Sequence, residues 1–218
     1  MRTVTHHVPG LILTDHEFTV PLDYAHPARE QIIVFAREVV APDKQDADLP
    51  WLVFFQGGPG FGGPRPDAAS GWLKRALKEF RVLLLDDRGT GRSTPVTHQT
   101  LAWRGSPQAQ ADYVAHFRAD NIVADAEFIR VELLGPEGKW SVLGQSFGGF
   151  CVVHYLSAAP GSLRHGEHLA KYGFLLHRDI AIFISSGAAQ KCDIHMHWLI
   201  KQPLPTGNFD QLNQVFPG

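Results

Sequence analysis

Residues 140–150 read Trp-Ser-Val-Leu-Gly-Gln-Ser-Phe-Gly-Gly-Phe, which places Ser146 between Gly144 and Gly148 in a G-x-S-x-G spacing. The chemistry served by that spacing is acyl transfer through a serine hydroxyl. A serine held at the tip of a sharp strand-to-helix turn takes a strained, positive-φ conformation. The residues two before and two after it must then lack side chains. Such a serine presents its hydroxyl to solvent, and the following helix N-terminus, with the backbone N–H of Phe147, favours a negatively charged oxygen beside it. The bland alternative is a serine in an ordinary Gly-rich turn, a real competitor because 21 of the 218 residues are glycine. The flanks argue against it. Residues 139–143 form a compact segment with aromatic and β-branched members, after the turn-like Gly135-Pro136-Glu137-Gly138. Phe147, Phe150, Cys151, Val153, Tyr155 and Leu156 follow, dense enough in apolar groups for a buried helix.

The elements that must position this serine are legible upstream. Residues 17–22 and 32–40 read as two antiparallel strands separated by the turn at 24–28, and 51–55 is a continuous apolar run of the kind covered on both faces. Residues 71–80 show helical periodicity, 82–85 is another fully apolar strand, and 109–134 is mostly helical with a break near Asp120. Three apolar strands joined by helical segments imply parallel pairing through right-handed crossovers. Two more motifs fall at the carboxyl ends of those strands, where α/β folds build sites. The first, Gln56-Gly57-Gly58-Pro59-Gly60, can bring bare backbone N–H groups to a substrate carbonyl, with a flexible surface turn as its competing reading. The second, Asp86 to Ser93, reads as a set of charges that brace the loop beneath the site through ion pairs and Asx-type hydrogen bonds. No Walker phosphate loop occurs.

Composition bounds the class. A chain that is 44% hydrophobic and 19% charged suits one globular core, and a net charge of −2 gives no electrostatic case for nucleic acid or an anionic membrane. Residues 1–10 have no apolar signal-peptide core and no 18 uncharged apolar residues run together, so a cytoplasmic protein without a membrane partner is expected. The two cysteines, Cys151 and Cys192, lack zinc-type spacing, and no cofactor or metal is expected. His195-Met196-His197 and His165-Gly166-Glu167-His168 share faces in a way that invites a metal, but neither offers a clear third ligand.

The ordered set Gly57-Gly58-Pro59-Gly60, Asp87-Arg88-Gly89-Thr90-Gly91-Arg92-Ser93, His116-Phe117-Arg118-Ala119-Asp120 with Asp125-Ala126-Glu127, and Gly144-Gln145-Ser146-Phe147-Gly148-Gly149 resembles the proline iminopeptidases over roughly residues 10–160. That resemblance implies an α/β-hydrolase fold with a mostly parallel sheet and N-terminal antiparallel strands, acting on peptides with an N-terminal proline. It implies Ser146 as catalytic nucleophile, Phe147 N–H as an oxyanion donor, and the Gly57-Gly58 loop as the other wall of the hole. Gln56 stands where many members carry a histidine, a residue that shapes the loop and is not the base.

From about residue 160 the resemblance ends. The family continues with a helical cap and then with the strands that bear the triad acid and base. The expectation is therefore a hydrolase portion over 1–160 and a divergent tail over 161–218, with the cap, its carboxylates for a free N-terminus, and the late strands missing. For this fold the chain order is serine, acid, histidine. The carboxylates after Ser146 are Glu167, Asp179, Asp193 and Asp210, and the histidines that follow one of them are His168, His177, His195 and His197. Asp179 opens the apolar run 180–184, a further candidate strand, at its amino end and away from the site. Asp193 and His195 follow that run but stand only two apart, so they read as surface residues and the triad partners stay unassigned. Three functions remain open on these residues: a proline iminopeptidase-like peptidase, another serine hydrolase such as an esterase, and a non-catalytic fragment that binds a partner through an unfinished sheet edge.

Overall fold

The computed structural model describes residues 1–164 together with the backbone of three strands at 168–171, 174–177 and 180–183. The first six strands are β1 (Arg2–Val8), β2 (Leu11–Pro21), β3 (Gln31–Val40), β4 (Trp51–Phe55), β5 (Arg81–Asp86) and β6 (Ser141–Gln145). The helices are α1 (Gly71–Ala76), α2 (His98–Ala102), α3 (Pro107–Val114), α4 (Ala119–Leu134) and α5 (Phe147–Ala158). Strands β7 (His168–Lys171), β8 (Phe174–His177) and β9 (Ile180–Phe183) complete one nine-stranded sheet in the order β1-β2-β3-β5-β4-β6-β9-β8-β7.

Pairing is parallel across the four central strands, β5-β4-β6-β9, and antiparallel on either side. The sheet is therefore mixed, where the sequence implied a mostly parallel one. Connection length is the reason: two residues separate β7 from β8 and β8 from β9, too few for a crossover, so those strands return antiparallel. The same three short strands follow α5, and β9 matches the candidate strand at 180–184. Its parallel register, Gln145↔Phe183, leaves the start of β9 at the edge away from Ser146.

The continuous apolar runs are explained by two cores, one on each face. Val53, Phe55, Leu83, Leu85 and Val142 pack with Ile122, Ala126, Ile129, Cys151 and Tyr155 of α4 and α5. Their neighbours Leu52, Phe54, Val82, Leu84 and Leu143 pack with Leu73, Ala76 and Leu77 on the α1 face. The same alternation holds along β2, where Leu11 and Leu13 enter the α1 core while Phe18 and Val20 enter the other. This two-sided burial hid the start of β2 from a pattern that looks for apolar-polar alternation. Strand β1 was hidden for the opposite reason, since most of its residues are exposed at the sheet edge. The long helical region divides at 115–118, slightly before the expected break, and α4 ends at Gly135, whose N–H reaches Val131 O at 2.9 Å. No helix among the described residues is long and apolar enough to cross a membrane.

A buried cation joins the layers. The Arg88 guanidinium, 2% exposed, donates to both carboxylate oxygens of Asp125 on α4 at 2.7 and 2.5 Å, to the carbonyls of Pro21 and Leu22 at 3.2 and 2.8 Å, and to His116 O at 2.9 Å. Tyr24 Oη donates to Asp125 Oδ1 at 2.8 Å. One side chain thus ties the loop after β5 to the end of β2, to the α3–α4 connection and to α4. Removing one member of such a pair leaves the other charge buried without compensation, at a cost of about 3–5 kcal/mol. Asp125→Ala is accordingly expected to lower the unfolding free energy by about that amount in urea titration, and a loss below about 1 kcal/mol, the level of an exposed pair, contradicts the assignment.

Candidate active site

Ser146 lies between the end of β6 and the first residue of α5, with φ 52° and ψ −116°. Among the described residues it is the one non-glycine with positive φ. The strain is held by close backbone packing. A side chain on Gly148 would collide with the carbonyl of Phe55 at the end of β4 and stand 3.0 Å from Gln56 O. One on Gly144 would meet the Gly148 carbonyl carbon at 2.5 Å. Both glycines are required by space, as the spacing predicted. The Ser146 side chain makes no capping bond to α5, so its hydroxyl is not committed to the helix. Phe147 opens α5, which makes its backbone N–H one of the helix's unpaired terminal donors.

The loop after β4 passes directly over this joint. β4 and β6 are adjacent and parallel, with Phe55 opposite Gly144, and a Cβ on Gly57 would lie 2.9 Å from Gln145 O and 3.1 Å from Ser146 Cβ. Gly57 therefore touches the elbow. Gly58 follows with φ 138° and a cis bond to Pro59, and Phe61 stands exposed at the loop's crest. Of the four residues singled out in the sequence, Ser146 and Phe147 form the elbow and Gly57 packs against it, with Gly58 the next residue of the loop. The arrangement packs the backbone of the loop after β4 against the serine at the elbow.

The charged motif after β5 braces this site, though its members differ. Asp86 is fully buried and accepts the N–H groups of Gly63 at 2.6 Å and Arg92 at 2.7 Å. Arg88 serves the junction described above. Asp87 fits neither role: it is buried and its Oδ1 has no hydrogen-bond partner. Burial pushes its carboxyl up to about 8, with the nearby Asp125 and Asp86 charges adding to the effect. Residue 87 follows the alternation of Leu83 and Leu85 one position beyond the end of β5, and that rhythm is the signal of its burial in the sequence. Cys151, free and buried on α5, has its thiol pushed up by burial and by the Asp87 charge, which keeps it an unreactive core group.

Of the triad candidates, His168 and His177 are register partners at the β7–β8 pair. Glu167, Asp179, Asp193, His195, His197 and Asp210 lie outside the described residues, as does Cys192. Among the described residues no group of three or more His, Cys, Asp or Glu side chains is placed to hold a metal.

Residues 50–166 match the family model of the alpha/beta hydrolase fold. With the parallel centre and the strained serine between β6 and α5, the chain belongs to the α/β-hydrolase family. Over 165 residues it is 56% identical to a proline iminopeptidase of Aeromonas sobria, across 75% of this chain and 38% of that protein. Over 166 residues it is 43% identical to a proline iminopeptidase of Aspergillus aculeatus, across 73% and 37%. The chain thus spans under two-fifths of the length of these curated relatives. Among solved structures, the crystal structure of esterase E22 superposes with a TM-score of 0.49 at 15% identity, covering 70% of this chain and 46% of that one.

Asp87 gives the site a pH signature. In the unfolded chain its carboxyl ionises near about 4, whereas in the folded chain it keeps its proton up to about 8. Between those values the folded state binds more protons than the unfolded state, so stability falls as pH rises through the window. Asp87→Asn removes this dependence. Urea denaturation should show the variant gaining on the parent between pH 5 and pH 8, by an amount on the order of a few kcal/mol, and parallel pH profiles contradict the reading. Independently, Gly148→Ala should destabilise the fold by about 1–3 kcal/mol, the usual cost of overpacking, in the same assay.

Proposed function

We propose that Ser146 is the nucleophile of a prolyl aminopeptidase-type serine hydrolase. The observation that carries this reading is the positive-φ serine under the Gly57 backbone, in a chain 56% identical to a relative named proline iminopeptidase. In this reaction Ser146 Oγ attacks the carbonyl carbon of an N-terminal prolyl residue and yields its proton to a general base. The resulting oxyanion is stabilised by Phe147 N–H and by the backbone around Gly57 and Gly58. Collapse breaks the C–N bond, and the departing amine takes up the proton. Water then attacks the prolyl ester, releases free proline and restores the serine. The base and the acid that orients it follow Ser146 in the chain order of this fold. Residues 1–160 form the hydrolase portion in this proposal, and 161–218 a divergent tail. The proposed substrate is a peptide with an N-terminal proline, in the cytoplasm, with no nucleic-acid or membrane partner and no cofactor.

A fluorophosphonate probe tests the nucleophile directly, because phosphonylation requires an activated hydroxyl. The parent chain should label at Ser146 and hydrolyse proline amides, and Ser146→Ala should lose both while keeping its fold by circular dichroism. A folded parent that does not label overturns the nucleophile assignment. Labelling with turnover of short acyl esters but not of prolyl amides overturns the peptidase assignment alone.

A further inference from the structure

We infer that Asp86, at the end of β5, is a positioning residue that sets the distance between the Gly57–Gly63 loop and Ser146. The inference rests on the nucleophile reading for its catalytic consequence, but its structural half stands on contacts of its own. The loop has two legs. Its first leg leaves β4 and crosses the elbow at Gly57, against Gln145 O and Ser146 Cβ. Its second leg returns at residues 63–65, and there Asp86 holds it: Oδ1 accepts Gly63 N–H at 2.6 Å, and Oδ2 pairs with the Arg65 guanidinium. Arg65 also donates to Gly63 O at 2.8 Å, so both peptide groups of Gly63 are fixed through one ion pair. Only Gly58 to Gly62 lies between the pinned legs.

The anchor itself is immobile. Asp86 has no exposed side-chain surface, and its Oδ2 also accepts the N–H of Arg92 at 2.7 Å. Gly91, with φ 53°, must be glycine because a Cβ there would enter the Asp86 carboxylate, whose carbon stands 2.5 Å away. The Arg65 and Arg92 guanidinium carbons lie 5.2 and 4.1 Å from the centre of the fully buried Phe35 ring, which gives both cations an aromatic seat on β3. The loop over the serine is therefore referenced to β3 and β5, while the serine is referenced to β6. The donor geometry at the elbow is the distance between these two references. A displacement of about 1 Å in such a site is enough to cost up to about 100-fold in rate.

Asp86→Asn separates this role from simple packing. It keeps the shape, but its amide can offer an acceptor to only one side. Either Gly63 N–H or the Arg65–Arg92 side then faces an NH2 group, donor against donor. Arg65→Ala cuts the same leg from a partly exposed position and serves if the first variant does not fold. Hydrogen–deuterium exchange is read on the peptide covering residues 56–64 and on peptides from α4 and β6, alongside the second-order rate of fluorophosphonate labelling and the kinetics on a prolyl amide. The expected result is exchange about tenfold faster in the loop alone, labelling slowed by about 10–100-fold, and kcat lowered at unchanged KM. Unchanged loop exchange in a folded variant overturns the inference, as does faster exchange with an unaltered labelling rate. If the parent chain does not label, the nucleophile reading fails by itself, and loop exchange still decides whether Asp86 holds the loop.

Discussion

The structure depends on a lack of room around Ser146. Three backbone segments converge there: the end of β4 presses on Gly148, the first turn of α5 presses on Gly144, and the loop after β4 presses on Gln145 and Ser146 itself. A strained serine is retained only where its surroundings leave no alternative, and these contacts remove the alternatives one by one. They depend in turn on register. Phe55 stands opposite Gly144, and a slip of one residue between β4 and β6 would lift Gly57 from the elbow and turn the apolar residues of β4 to the wrong faces. Burial of β4 and β6 holds that register, and one of the two cores reaches the site itself through Phe55 and Phe147.

Charge does the complementary work at the carboxyl ends of the strands. Apolar packing alone leaves the loops beyond β4 and β5 without a fixed position, and the buried ionic groups supply it. Arg88 gathers the end of β2, the α3–α4 connection and α4, while Asp86 gathers the two loops beside the serine. A second network closes the far side. Trp140 Nε1 donates to Tyr155 Oη at 2.9 Å, and Tyr155 in turn donates to Glu127, which also receives Ser162 at 2.7 Å and Arg130 at 3.0 Å. Such groups are costly to bury and more costly to leave half-paired, which binds each loop to one arrangement. Asp87 is the exception, and its cost is met by retaining a proton instead of a partner.

The sequence disclosed what short-range rules govern. The elbow, the glycine loop and the central strands were legible because each needs particular residue types within a few positions: bare glycines at 144 and 148, and unbroken apolar runs at 51–55 and 82–85. Elements whose cause lies in distant partners were harder to read. β1 has exposed residues and exists because β2 offers it an edge, with Val8 opposite Leu11. The separate duties of Asp86, Asp87 and Arg88 could not be told from three adjacent charges, because each is decided by what arrives from elsewhere: Gly63 and Arg65 for the first, nothing for the second, Asp125 for the third. Arg65 carried no local signal at all, since its importance comes from reaching back across the sheet to Asp86 and Phe35.

The late strand pairing also supports the elbow strand. β9 runs parallel to β6 with Phe183 opposite Gln145, so the two strands end side by side. Pairing β9 beside the elbow strand covers an edge of β6 that would otherwise expose unpaired backbone, so the strand that carries Ser146 at its end has a neighbour on both sides.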